Sequence, residues 1–112
     1  MRTAGAKGAE KRNDETARSR PCVVVQNDVG NRYSATTIVV PLTDTDQFKN
    51  LPVQVWADAA EINMTIKKDS IIECGHIYTI DGDERVLRVR GTLSTSAMTR
   101  VDAALKVSLD LQ

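Results

Sequence analysis

A chain of 112 residues has room for one domain around one modest core. Apolar residues make up 41% and charged residues 27%, an ordinary globular balance, and the formal net charge is +0. No global positive field therefore draws in nucleic acid, and any contact with a polyanion has to come from a local cluster.

The first stretch, residues 1–19, is small, polar and charged, with Lys7, Lys11, Arg12 and Arg18 set against Glu10, Asp14 and Glu15. It carries neither the apolar run of a secretory signal nor that of a membrane anchor, and nothing further on approaches the ~20 apolar residues that span a bilayer. Its composition buries too little surface to order itself, so it is expected to be a flexible arm or long loop, with the folded domain occupying residues 20–112. From Arg20 the character changes. Cys22-Val-Val-Val-Gln26 is a short β-branched run that reads as a buried strand, followed by a turn in Asn27-Asp-Val-Gly-Asn31. Thr36 to Leu42 repeats the pattern and is expected to pair antiparallel with it. Pro41 lacks an amide proton, which points to an edge or bulge near that strand's end.

Asp44 to Asn50 reads as a polar loop, and Val53 to Trp56 as a third strand with Val53 and Val55 on one face. A polar segment then leads to Ser70-Ile-Ile-Glu-Cys74, a break at Gly75, and a further strand from His76 to Ile80. Asp81-Gly-Asp83 is a turn signal, Arg85 to Arg90 alternates as a half-exposed strand, and Gly91 closes it. The last segment changes its period from two to about three and a half. Met98, Val101, Leu105, Ser108 and Leu109 share one side of a helix, with Ser94 as N-cap and Leu93 placed to staple against Met98. The expected fold class is mostly β with a C-terminal α-helix lying on a small twisted sheet or barrel.

Cys22 and Cys74 lie far apart inside apolar stretches and read as reduced, buried side chains. With no Cys-x-x-Cys spacing and a single histidine, His76, no metal site and no cofactor are expected. Aromatic residues total 4%, which argues against an open base-stacking platform. No phosphate-cradling glycine loop and no recognisable nucleophile elbow is present.

Arg20-Pro21-Cys-Val-Val-Val-Gln-Asn-Asp28, Gly30-Asn-Arg-Tyr-Ser34 and Thr37-Ile-Val-Val-Pro-Leu-Thr43 together resemble the central block of MazF/PemK (Kid)-type toxins of type II toxin–antitoxin systems. Leu51-Pro52, Lys68 to Ile72, Tyr78 to Asp81 and Gly91 to Ser94 follow in the same order and at similar spacing. The resemblance implies an SH3-like barrel of the MazF/CcdB type with a terminal helix. It also implies a cytoplasmic, homodimeric, metal-independent endoribonuclease that cuts single-stranded RNA at short sequences and is restrained by a MazE/PemI-like antitoxin. It makes Arg20 and Thr43 the catalytic pair, with Gly8, Glu10, Asn27, Leu51 and His76 as RNA-binding positions. The reaction is attack of a ribose 2′-hydroxyl on the adjacent phosphate. A guanidinium with a pKa above ~12 accepts protons poorly, so Arg20 is expected to clamp the phosphorane's charge and Thr43 to bond the same oxygens.

His76 stands where many relatives carry a glutamine, either bonding a base or shuttling a proton. Gly8 and Glu10 align loosely with a glycine-glutamate loop that gates the site in relatives. Glu73 and Gly75 occupy the places of an arginine and an aspartate used by the PemK/Kid branch, so that mechanism does not carry over. Relatives also begin with a strand ahead of the glycine-glutamate loop, and none is expected here. A CcdB-like gyrase poison on the same barrel, or an inactive remnant that binds antitoxin, are the alternatives; the Arg-Pro pair and Thr43 favour the nuclease.

Overall fold

The computed structural model describes residues 5–11, 18–26, 36–64, 68–81 and 86–111. Its strands in chain order are β1 (Gly5–Lys11), β2 (Arg18–Val24), β3 (Thr36–Thr43), β4 (Gln54–Ala57), β5 (Ile62–Met64), β6 (Ser70–Glu73), β7 (Tyr78–Asp81) and β8 (Val86–Leu93). An α-helix, α1 (Thr95–Ser108), closes the order of the described residues, and short 3₁₀ turns occupy Thr45–Gln47 and Ala59–Glu61. The strands join in the order β4-β6-β3-β2-β1-β8-β5, with β7 also paired to β3. The sheet path runs open from β4 to β5 among the described residues, so the expected barrel holds only in a loose sense; the β-rich class with a terminal helix stands.

The β-branched run at Val23, Val24 and Val25 forms its strand because alternation serves two environments. Val23 and Val25 join Val40, Val55, Ala57, Ile62, Ile72, Leu93, Ala97, Met98, Val101 and Ala104 in the main core. Cys22, Val24 and Val39 form a smaller cluster on the other face, with Ile80 packed against it. β2 and β3 pair antiparallel as expected, with Cys22 across from Pro41, Val23 from Val40 and Val24 from Val39.

Pro41 lies inside β3, where its missing amide does no harm. The carbonyl of Ile38 accepts from the Val25 amide, so by alternation position 41 turns toward the opposite edge of β3. On that edge β7 pairs only as far as Val39 and β6 begins at Leu42. The proline thus marks the handover between two partner strands.

Three expectations need correction. Gly5–Lys11 falls within the expected flexible arm; instead it forms β1, paired along its length with β2 and on its other edge with β8. Composition gave no sign of it because a strand held on both edges draws its stability from backbone bonds to neighbours. β5, read from sequence as polar connection, pairs Ile62, Asn63 and Met64 with Leu93, Thr92 and Gly91 of β8, which therefore continues past the glycine. On α1 the buried face is Ala97, Met98, Val101 and Ala104, with Leu105 half-buried and Leu109 53% exposed. Small alanines let the helix approach the sheet closely, and the face turns toward them and away from Leu109.

Ser94 caps α1 as expected, its hydroxyl accepting from the Ala97 amide at 3.1 Å. Leu93 and Met98 on either side of that cap share the main core. Cys22 and Cys74 are free and buried. Among the described residues no helix is long and apolar enough to cross a membrane.

Candidate active site

Three strand ends meet where β3, β6 and β4 lie side by side. Thr43 ends β3 across from Ile71 of β6, and Gln54 opens β4 across from Glu73, the last residue of β6. Residues directly opposite across a strand pair share a face. Thr43, Ile71, Glu73, Gln54 and Trp56 therefore occupy one face of the sheet, while Leu42, Ile72 and Val55 turn to the main core.

Arg20 sits in β2 across from Ala9 of β1. The β2–β3 pairing runs from Val24 and Val39 to Cys22 and Pro41; continued by two residues in the same register, it would bring position 20 across from position 43. In that register the two sequence-predicted positions share one face of neighbouring strands.

Two polar residues that sequence reasoning gave no catalytic part lie beside Thr43. The Thr43 hydroxyl donates to Glu73 Oε2 at 3.3 Å, and Gln54 Nε2 donates to the same oxygen at 3.1 Å. Gln54 also gives a proton to the Gln47 carbonyl at 3.0 Å, while its Oε1 accepts from the amides of Lys49 at 2.8 Å and Leu51 at 3.4 Å. Between those two amides Asn50 adopts a left-handed backbone with φ 55°, a conformation asparagine tolerates better than most residues. One glutamine side chain therefore holds the whole 47–51 loop against Glu73. A threonine hydroxyl donates one hydrogen bond, and here it donates it to Glu73; to donate to a phosphate oxygen the hydroxyl has to turn.

Leu51, an expected RNA-binding position, is 47% exposed on that loop. His76 is also exposed, and its amide donates to the Glu73 carbonyl at 3.2 Å in the turn leaving β6. Gly8 and Glu10 lie in β1 across from Pro21 and Ser19, in a paired strand where a loop was expected. Asn27 lies outside the described residues. Gly75 offers no side chain, and a Cβ there would come 3.2 Å from Val53 Cγ2, so an aspartate like that of the PemK/Kid branch needs Val53 to shift.

A sequence signal for Gln54 and Glu73 did exist: polar residues at the ends of strands whose inner positions are apolar. It did not say that the two would face each other, because the β4–β6 pairing joins segments far apart in the chain.

A family model described as the PemK-like, MazF-like toxin of type II toxin–antitoxin systems matches residues 6–109. The chain belongs to this PemK/MazF-like family. Among curated relatives of this family, "Endoribonuclease EndoA" of Bacillus subtilis (strain 168) is 40% identical over 92 residues, covering 82% of this chain and 77% of its own. "Endoribonuclease MazF" of Staphylococcus epidermidis is 39% identical over 92 residues, covering 82% and 74%. Of solved structures, the MazE-MazF complex (Form-III) from Deinococcus radiodurans aligns with a TM-score of 0.80 at 14% identity, over 100% of this chain and 98% of that one. "Mycobacterium tuberculosis toxin MazF-mt6" aligns at 0.78 and 21% identity, over 96% and 98%. At those identities the structures speak for the fold. The matches favour the PemK/MazF-like branch of the expectation and lend nothing to the gyrase-poison branch.

Proposed function

We propose that this PemK/MazF-like chain is the endoribonuclease toxin of a toxin–antitoxin pair, acting in the cytoplasm on single-stranded RNA, as a homodimer, with an antitoxin that blocks it. The observation that supports the reading is the β2–β3 register, which pairs Cys22 with Pro41 and, continued by two residues, brings position 20, an arginine, across from position 43, a threonine. Transfer of the RNA chain to its own 2′-oxygen builds charge on a five-coordinate phosphorus. A fixed guanidinium is suited to that charge because its donors need no reorganisation as it develops. Arg20 holds the phosphate, and Thr43 adds a hydroxyl bond once it turns from Glu73. Leu51 and His76 flank the same strand ends and meet the neighbouring nucleotides. The reaction drawn this way uses side chains alone. The antitoxin part is supported by the solved relatives named as a MazE-MazF complex and as an endoribonuclease with its cognate antitoxin.

The test is incubation of the purified chain with a long single-stranded RNA in EDTA, beside Arg20→Ala. Discrete fragments with one sequence at their ends, absent from the variant and from RNA carrying a 2′-deoxy sugar at the cut, are expected. Intact RNA with a folded wild-type protein, whatever the added metal, overturns the reading.

A further inference from the structure

The reaction needs a group to accept the 2′-hydroxyl proton, and Arg20 is the wrong chemistry for it. Glu73 is the carboxylate at the site. Its Oε2 takes both hydrogen bonds, from Thr43 at 3.3 Å and from Gln54 at 3.1 Å. Its Oε1 receives none from the described residues and is not among their buried, unmatched polar atoms. Gln54 keeps its bond to Oε2 when the Thr43 hydroxyl turns to the phosphate, so the carboxylate stays oriented with its other oxygen open as a proton acceptor. The face it lies on is shared with Thr43 and, by register, with position 20.

We propose that Glu73 is the general base of the cleavage, with Gln54 as the residue that positions it. The inference rests on the endoribonuclease reading and goes beyond it, since that reading leaves the proton unassigned. Glu73 Oε1 takes the proton of the 2′-hydroxyl as the oxygen's electron pair forms the O2′–P bond. The P–O5′ bond breaks, its electron pair staying on the 5′-oxygen, which takes a proton from water. The hydroxide so formed recovers the proton from Glu73, and the products are a 2′,3′-cyclic phosphate and a 5′-hydroxyl. Thr43 and Gln54 face the carboxylate from β3 and β4. The charged groups on the adjoining loops are Asp44 and Lys68, paired with each other at 2.9 Å, together with Asp46, Lys49 and His76.

The experiment follows single-turnover cleavage of a short oligoribonucleotide spanning a cut site mapped on the long RNA, from roughly pH 4 to 9. Glu73→Gln keeps an oxygen for the same two donors but accepts no proton. Its rate is expected to fall on the order of 10²- to 10⁴-fold, and its acid limb to disappear. Affinity for the 2′-deoxy oligonucleotide should hold or tighten, since a negative charge beside the phosphate is removed. Glu73→Asp should recover part of the rate and restore the acid limb, which keeps the inference testable where the glutamine variant folds poorly. Gln54→Glu, placing a second carboxylate opposite the first, should move that limb to higher pH, which mere loosening of the loop does not do. A folded Glu73→Gln that cleaves within a few-fold of wild type with an unchanged pH profile overturns the assignment and leaves the nuclease reading intact. A wild-type protein that cuts no RNA defeats both.

Discussion

One residue beyond Glu73, the chain turns from solvent to core. Cys74 is fully buried, and burial, reinforced by the neighbouring Glu73 charge, pushes its thiol up to about 12. The thiolate is the nucleophile, so this side chain is inert at neutral pH. Iodoacetamide is expected to leave Cys74 unlabelled in the folded protein and to alkylate it in urea; prompt labelling under native conditions would show that the strand end opens. The same shift fixes the sign of a pH effect. Folding holds the thiol protonated, so between its free value of 9.0 and about 12 the unfolded chain binds fewer protons and stability declines as pH rises. Cys74→Ser keeps the steric plan and removes that decline, measurable as a flatter melting temperature over the alkaline range. The contrast with Glu73 is instructive at this scale. The last residue of β6 and its successor face opposite environments, Cys74 kept neutral by the core and Glu73 held at the open face by two hydrogen bonds.

At the scale of elements, the helix is fastened to the sheet by a clamp around Glu61. The Arg100 guanidinium reaches both Glu61 oxygens, at 2.8 and 2.9 Å, and also donates to the Trp56 carbonyl at 3.1 Å. Glu61 further accepts from the Asp58 amide at 3.1 Å and from the Ser94 hydroxyl at 3.4 Å. These contacts, Arg100 first and then the Asp58 amide, hold its carboxyl below the usual value of 4.5. A carboxyl depressed by folding contributes stability above its unfolded value, which is lost as pH falls through the lower folded one. Glu61→Gln should therefore melt lower than wild type at neutral pH, with the difference closing as the solution is acidified. Ser94→Ala removes the N-cap and should cost about 1 kcal/mol in urea unfolding. The cap was readable from sequence because a serine before a helical period is a local signal. So were β2, β3 and α1, whose apolar periods are strong. The clamp was not, since Glu61, held locally by the Asp58 amide, meets Arg100 from far along the chain only in the folded protein. The proposed pair Arg20 and Thr43 was nameable through a family resemblance, whereas Glu73 and Gln54 needed the fold to place them side by side.

For the molecule as a whole, the consequential strand is the one whose sequence looks least like a strand. β1, with its glycines, alanines and charges, stands between β2 and β8 in the sheet path. Beyond it on one side lie β8 and β5; on the other lie β2, β3, β6 and β4 with the candidate site. Without β1, the first group has, among the described residues, no strand to pair with in the second, and the edge of β2 away from β3 is stripped of its neighbour. Backbone groups left unmatched and buried cost on the order of 1–3 kcal/mol each, against a total stability of ~5–15 kcal/mol for a domain of this kind. A handful of them exceeds what the core can offset. A chain beginning at residue 12 should therefore lose its cooperative urea transition and its near-ultraviolet signal from Trp56, which packs edge-to-face on Phe48 with centroids 5.3 Å apart. A truncated chain that unfolds with the full-length midpoint would return residues 5–11 to the role of a dispensable arm.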